Sequence, residues 1–196
     1  FWHYGDIELP HKKLQDYYLK NYNERPELQN FQNRFGGRGR NSPATIPDQP
    51  TVKTPANWVK LVKEHILGNE GDLVGITRIR PEWIFEGYEA PEPWIIIIGV
   101  SMDHHELSKA PSVESPVEVI AQYNRGTRVA RSMANFIQTN GYHARPHGGP
   151  AAGPILLIPA AIEAGLGELG KHGSMINRKF GSSFRLAGVL TDLRLA

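Results

Sequence analysis

Residues 161–195 read AIEAGLGELGKHGSMINRKFGSSFRLAGVLTDLRL, and this stretch decides the fold. Its last part, Phe184–Thr191, alternates with the period of a strand, with Arg185, Ala187 and Val189 on one face and Phe184, Leu186 and Leu190 on the other. Arg185 thus shares its face with small apolar neighbours and points a cation towards protein. A buried guanidinium without a partner is very costly, so Arg185 is either a surface or salt-bridged arginine, or one that meets an anion or a ligand. Ahead of this strand, Gly165–Gly173 reads GLGELGKHG, and further upstream Pro146–Pro154 reads PHGGPAAGP. Lacking Cβ atoms, such segments let main-chain amides approach a flat or amide-rich ligand, although glycine clusters also make tight turns. Neither matches a phosphate-binding loop or a dinucleotide turn.

Working upstream, the clearest helix is the one after residue 115. Ser115, Pro116 and Glu118 read as a capping box with proline at the first helical position. Ile120, Tyr123, Thr127, Ala130, Ala134 and Ile137 then follow at helical spacing on one face, and Asn140-Gly141 supplies the stop. Tyr123 lies on this apolar face, away from Arg125, Arg128 and Arg131. Its phenol is either a core hydroxyl bonded to a backbone carbonyl or a proton donor lining a pocket. If Arg185 reaches it, the positive charge favours the phenolate form and makes the phenol a better acid.

Three further elements complete the domain. Trp94–Val100 (WIIIIGV) is a continuous apolar run suited to a central strand buried on both faces, and Asp72–Ile79 reads as a second strand. Thr54 as N-cap and Pro55 in the first turn open a helix whose Trp58, Leu61, Val62 and His65 share a face before Gly68 ends it. Another short helix is expected over Pro159–Ala164, closed by Gly165. Strands interleaved with helices, and no dinucleotide fingerprint, predict an α+β layered domain.

Residues 1–53 read differently. Phe1–Tyr4 is aromatic, Lys12–Tyr22 suits a short helix, and Asn30–Pro50 is rich in Asn, Gly, Arg and Pro around Gly36-Gly37-Arg38-Gly39-Arg40. This composition predicts an extended N-terminal arm that wraps a partner or its own domain, with homo-oligomerisation as one use. The Gly/Arg patch is short for an RNA-binding element, and a net charge of +2 is too mild to imply nucleic acid or an anionic membrane surface.

The 196 residues can bury a sizeable core without covalent staples. The absence of cysteine excludes disulfides, thiolate zinc and iron–sulfur ligation within these residues. No apolar run approaches the length of a membrane span, and no charged leader with an apolar core is visible, which favours a cytoplasmic location. The chain starts at Phe1 and reads as processed or trimmed. The eight histidines lack metal-ligand spacing: His104-His105 would point opposite ways in an extended segment, and His143 and His147 flank Pro146. No protein-bound metal is expected.

Taken together, the motifs resemble the corrinoid-dependent reductive dehalogenases and, more distantly, the epoxyqueuosine reductases. The resemblance covers about Asp72–Leu195. It is carried by DLVGITRIRPEWIF before the central strand, Met102-Asp103 and Ala110-Pro111-Ser112 after it, and Phe136-Ile137…Gly141-Tyr142 at the helix end. The strongest match is AGLGELGKHG followed by FGSSFRLAGVLTDL. The resemblance implies a nitroreductase-like α+β domain, with a central, mainly antiparallel sheet flanked by helices over residues 54–196. It further implies base-off cobalamin without a protein ligand below the cobalt, and places the family's catalytic tyrosine and arginine on Tyr123 and Arg185. Gly148 and Gly149, with Gly170, Lys171, His172, Gly173, Ser174 and Met175, would contact the corrin and its tail.

Two departures accompany the match. Where dehalogenases commonly carry Gly-Asn-Asp, this chain has Gly148-Gly149-Pro150. The family also continues into a ferredoxin-like module with cysteine-ligated iron–sulfur clusters, whereas these residues end at Ala196. An enzyme acting on a small halogenated organic substrate would therefore draw electrons from such a module or a ferredoxin-like subunit. A non-catalytic cobalamin carrier and an interaction subunit on the same fold are the alternatives.

Overall fold

The run Trp94–Ser101 has no polar face to offer water, so it forms a strand (β2) covered on both sides, buried along its length except at Ser101. The computed structural model describes residues 44–148 and 153–196, with Pro26 besides. The readings of Phe1–Tyr4, Lys12–Tyr22 and Gly36–Arg40, and the assignment of Gly149, lie outside the described residues.

The chain builds helix α1 (Pro55–Leu67), strand β1 (Leu73–Arg78), a short 3₁₀ turn (Pro81–Trp83), β2, helix α2 (His104–Ser108) and the long helix α3 (Glu114–Thr139). Strand β3 (Ala144–His147), helix α4 (Leu157–Glu163), the small strands β4 (Glu168–Leu169) and β5 (Met175–Ile176), and strand β6 (Phe184–Thr191) follow. The main sheet is four-stranded in the order β1-β2-β6-β3, antiparallel at every pairing. β4 and β5 form a separate hairpin.

The two faces of β2 and β6 define two core layers. Ile96, Ile98, Val100, Ala187 and Val189 pack with Trp58, Val62 and Ile66 of α1 and with Val129, Ala130, Met133 and Ile137 of α3. Ile95, Ile97, Phe184 and Leu190 pack on the other side with Ala160 and Ala161 of α4, Trp83, Ile155 and Met175. The alternation read from Phe184–Thr191 is the observed one, and the result is a helix–sheet–helix layering.

Local signals explain most of the element ends. The Thr54 hydroxyl accepts the Asn57 N–H and Pro55 opens α1, while Gly68 closes it. Gly141 takes φ 91° just after α3, where only glycine escapes strain. The capping box at Ser115 is not formed. α3 begins at Glu114 with Val113 at its N-cap and no side-chain cap, and Glu118 instead accepts the Asp103 N–H at 2.7 Å. Pro116 is tolerated because the first-turn N–H groups have no intrahelical partner. His104 and His105 lie in helix α2, capped by the Asp103 carboxylate, and not in an extended segment. The apolar face of α3 is also wider than the predicted stripe, because Gly126, Val129 and Met133 are buried with it.

Residues just before α1 are tied to the end of α3: Ala44 N–H donates to the Gln138 side chain, and Thr51 N–H donates to the Asn140 carbonyl. Tyr142 Oη in turn donates to the Thr51 carbonyl. No helix among the described residues is long and apolar enough to cross a membrane.

Candidate active site

Tyr123 sits one turn before Gly126, where α3 lies close against the sheet. Gly126 makes that approach possible, since a Cβ there would stand 3.3 Å from the Ala187 Cβ and 3.6 Å from Val100. Arg185 is two residues from Ala187 on the same face of β6, opposite Val100 of β2. The helix and strand therefore converge on one corner of the α3 layer.

At that corner the Arg185 guanidinium carbon lies 4.8 Å from the centre of the Tyr123 ring. The cation covers the π face instead of meeting the hydroxyl end-on. Among the described residues no carboxylate pairs with Arg185, and its Nε is buried without a hydrogen-bond partner. The salt-bridged alternative for Arg185 is thus not what the fold builds. Tyr123 is half-buried, and its hydroxyl has no hydrogen-bond partner among the described residues.

Gly148 joins the same corner. A Cβ on it would meet Thr127 Oγ1 at 2.6 Å and Thr127 Cα at 2.8 Å, so its backbone rests directly on α3 one turn beyond Tyr123. Thr127 in turn donates to the Tyr123 carbonyl at 2.8 Å. β3 stops at His147, opposite Gly188, while β6 runs on to Phe184. Among the described residues, no strand pairs with Phe184–Ala187 on that flank of β6.

Gly170 to Met175 are placed differently. Gly170, Lys171, His172, Gly173 and Ser174 form the turn between β4 and β5, closed by Gly170 N–H to the Ser174 carbonyl at 2.7 Å and by Ser174 N–H to His172 Nδ1 at 3.2 Å. Gly173 has φ 79°. Met175 is buried with Phe184 in the α4 layer. The anchor of this turn therefore lies across the sheet from Tyr123, and Lys171 to Ser174 face solvent.

Two polar side chains here escaped the sequence reading. Asn124 and His147 each carry a buried nitrogen without a partner, Nδ2 and Nε2 respectively. The imidazole of His147 has its pKa lowered to about 4, chiefly by burial and further by the Arg145 charge, with Glu92 opposing. The available signals were an asparagine inside a helix beside Tyr123, and a histidine between Pro146 and a glycine pair. Buried nitrogens that lack protein partners fit a ligand rich in amide groups better than a dry core.

No family model matches the chain. A tetrachloroethene reductive dehalogenase of Dehalobacter restrictus is 34% identical over 161 residues, which is 82% of this chain and 28% of that protein. Among solved structures, a catabolic reductive dehalogenase superposes with a TM-score of 0.76 at 21% identity, covering 90% of this chain and 27% of the other. An epoxyqueuosine reductase superposes with a TM-score of 0.56 at 12% identity, over 73% of this chain and 48% of the other. The chain is thus related in sequence and in fold to the reductive dehalogenases, of whose length it spans 28%.

Proposed function

We propose that this chain is the corrinoid-holding part of a reductive dehalogenase-like oxidoreductase, with Tyr123 as proton donor and Arg185 as its assisting cation. The observation that carries this reading is the Arg185 guanidinium over the Tyr123 ring, with Nε buried and unpartnered. A tyrosine packed for structure alone has no use for an unneutralised arginine on its face.

The net reaction replaces a carbon–halogen bond by a carbon–hydrogen bond, taking up two electrons and one proton and releasing halide. When bound, a reduced corrinoid would supply the two electrons, themselves replenished by an iron–sulfur module or a ferredoxin-like donor. Tyr123 delivers its phenolic proton to the carbon, and Arg185 stabilises the phenolate left behind. Gly148 and Gly149, with Gly170–Met175, are assigned as backbone contacts to the corrinoid, through closeness of main chain and not through charge. The domain is assigned to residues 54–196 and an arm to 1–53.

Hydroxocobalamin added to the purified protein, followed by its visible spectrum, tests the binding half; absence of any spectral shift would sink the reading. Given binding, a chemically reduced corrinoid and a bromophenol should yield bromide, and Tyr123→Phe should abolish this without changing corrinoid affinity. Binding without turnover would favour a carrier.

A further inference from the structure

His147 is the last residue of β3 paired with β6, and the residue after it, Gly148, rests on the helix that carries Tyr123. Register places its side chain beside Gly188 on the α4 face of the sheet, where the glycine lets Leu157 pack so close that a Cβ would stand 3.1 Å from it. One edge of the ring is closed, because a Cβ on Gly153 would fall 2.2 Å from Nδ1. The other nitrogen, Nε2, is buried and has no hydrogen-bond partner among the described residues. The charges that act on the imidazole are those of Arg145, two residues back, and Glu92. These are committed to each other through two hydrogen bonds of 2.5 and 2.7 Å, so neither is spare to satisfy the imidazole.

An imidazole held there works as a neutral hydrogen-bonding group, since burial and the Arg145 charge both oppose its protonation. A neutral donor–acceptor suits an uncharged amide better than a phosphate or a carboxylate. Corrin rings carry acetamide and propionamide arms around their rim, whereas their reacting face is apolar. Because His147 is on the α4 side of the sheet and Tyr123–Arg185 on the α3 side, it cannot serve the same atoms as that pair.

We infer that His147 is a binding residue for the corrinoid, its Nε2 hydrogen-bonding an amide arm at the rim of the ring. This rests on the corrinoid reading given above. It makes the unpartnered nitrogen a feature of the ligand-free protein that binding satisfies.

The test compares wild type, His147→Leu and His147→Gln, each titrated with hydroxocobalamin by visible absorbance and tryptophan quenching, and each melted without corrinoid. His147→Leu should bind about tenfold more weakly, the loss of one buried hydrogen bond, and His147→Gln should recover part of the affinity. The corrinoid-free melting temperature of His147→Leu should be equal or higher, because an unpaired polar atom has been removed from the interior. Equal affinities for His147→Leu and wild type would overturn this inference alone. So would a corrinoid-free melting temperature that falls together with affinity, which marks a structural histidine. Nitrogen splitting in the electron paramagnetic resonance of the cobalt(II) form, lost in His147→Leu, would overturn the rim assignment by putting the imidazole on the metal. Failure of wild type to bind corrinoid at all would overturn both this inference and the reading beneath it.

Discussion

Arg185 covers the face of Tyr123 at 4.8 Å and leaves its own Nε buried without a partner. The contact does two things at once. It holds the ring against β6 by a cation–π attraction, worth roughly 0.5–2 kcal/mol depending on desolvation. It also keeps a full positive charge next to a phenol without any carboxylate among the described residues to quench it.

Arg185→Met separates these effects. Methionine keeps the length and packs on the ring, so corrinoid-free thermal stability should be unchanged or higher. Halide release with reduced corrinoid should fall on the order of a hundredfold, because the phenolate loses its counter-charge. Arg185→Lys keeps charge without the planar stack and should fall between. Parallel melting curves and halide assays decide it; a large fall in stability for Arg185→Met would mean that the cation serves the fold.

Gly148→Ala should act on the same corner through shape. Its Cβ would press on Thr127 Oγ1 and Cα at 2.6 and 2.8 Å, and Cα cannot move aside without moving α3. A destabilisation of about 1–3 kcal/mol is expected from overpacking. Gly126→Ala is the control, since its Cβ would stand 3.3 Å from a methyl group and should cost less. Chemical unfolding of the two variants ranks them; equal losses would place the sensitivity in the helix and not in the β3 contact.

The opposite side of α3 is fixed by Arg125. Its guanidinium donates to the Asp72 carboxylate at 2.7 Å, to the Glu70 carbonyl at 2.7 Å and to Gln122, while Asp72 also accepts the Ser101 N–H and hydroxyl. Burial alone would raise the Asp72 pKa, but the Ser101 hydrogen bonds and the Arg125 charge outweigh it and hold the group below 3.8. A carboxyl depressed on folding stabilises the protein above its unfolded pKa, and that stability is lost as pH falls through the folded value. Asp72→Asn should therefore lower stability at neutral pH and flatten the acid limb below about pH 4. Unfolding midpoints at pH 7 and pH 3 test this; an unchanged acid limb would assign it to other carboxylates.

How much of this was legible follows from what each residue must do locally. Phe184–Thr191 and Trp94–Val100 announce their strands because alternation and an unbroken apolar run leave no other way to bury them. Thr54, Pro55 and Gly68 bracket α1 for the same local reason. The pairing of Tyr123 with Arg185 was reachable because each sat on an apolar face with a polar end to satisfy. The start of α3 was misplaced since Glu118 finds a partner outside its helix, at Asp103, which no local pattern reveals. β3 was invisible because Pro146 and the glycines after it read as loop, and only pairing with β6 makes Ala144–His147 a strand. The β4–β5 hairpin depends likewise on cross-strand contacts, Leu169 with Met175 and Glu168 with Ile176, within a glycine-rich segment. His147 became readable only with its surroundings, because an imidazole is unremarkable until burial leaves one nitrogen unpaired.

That burial gives His147 a measurable pH signature independent of any ligand. Its pKa falls from 6.5 to about 4 in the folded chain, so between these values the unfolded state holds a proton that the native state does not. Stability should be level above about pH 6.5 and decline as pH drops towards 4, before the Asp72 loss begins. His65, lowered by burial and partly restored by Ser132, contributes a decline of the same sign. His147→Leu should keep the His65 part and lose the rest, giving a shallower slope between pH 6.5 and 4 than wild type. Urea unfolding at half-unit pH steps measures both slopes. Identical slopes would mean that the His147 ring takes up its proton in the native state and is hydrated there.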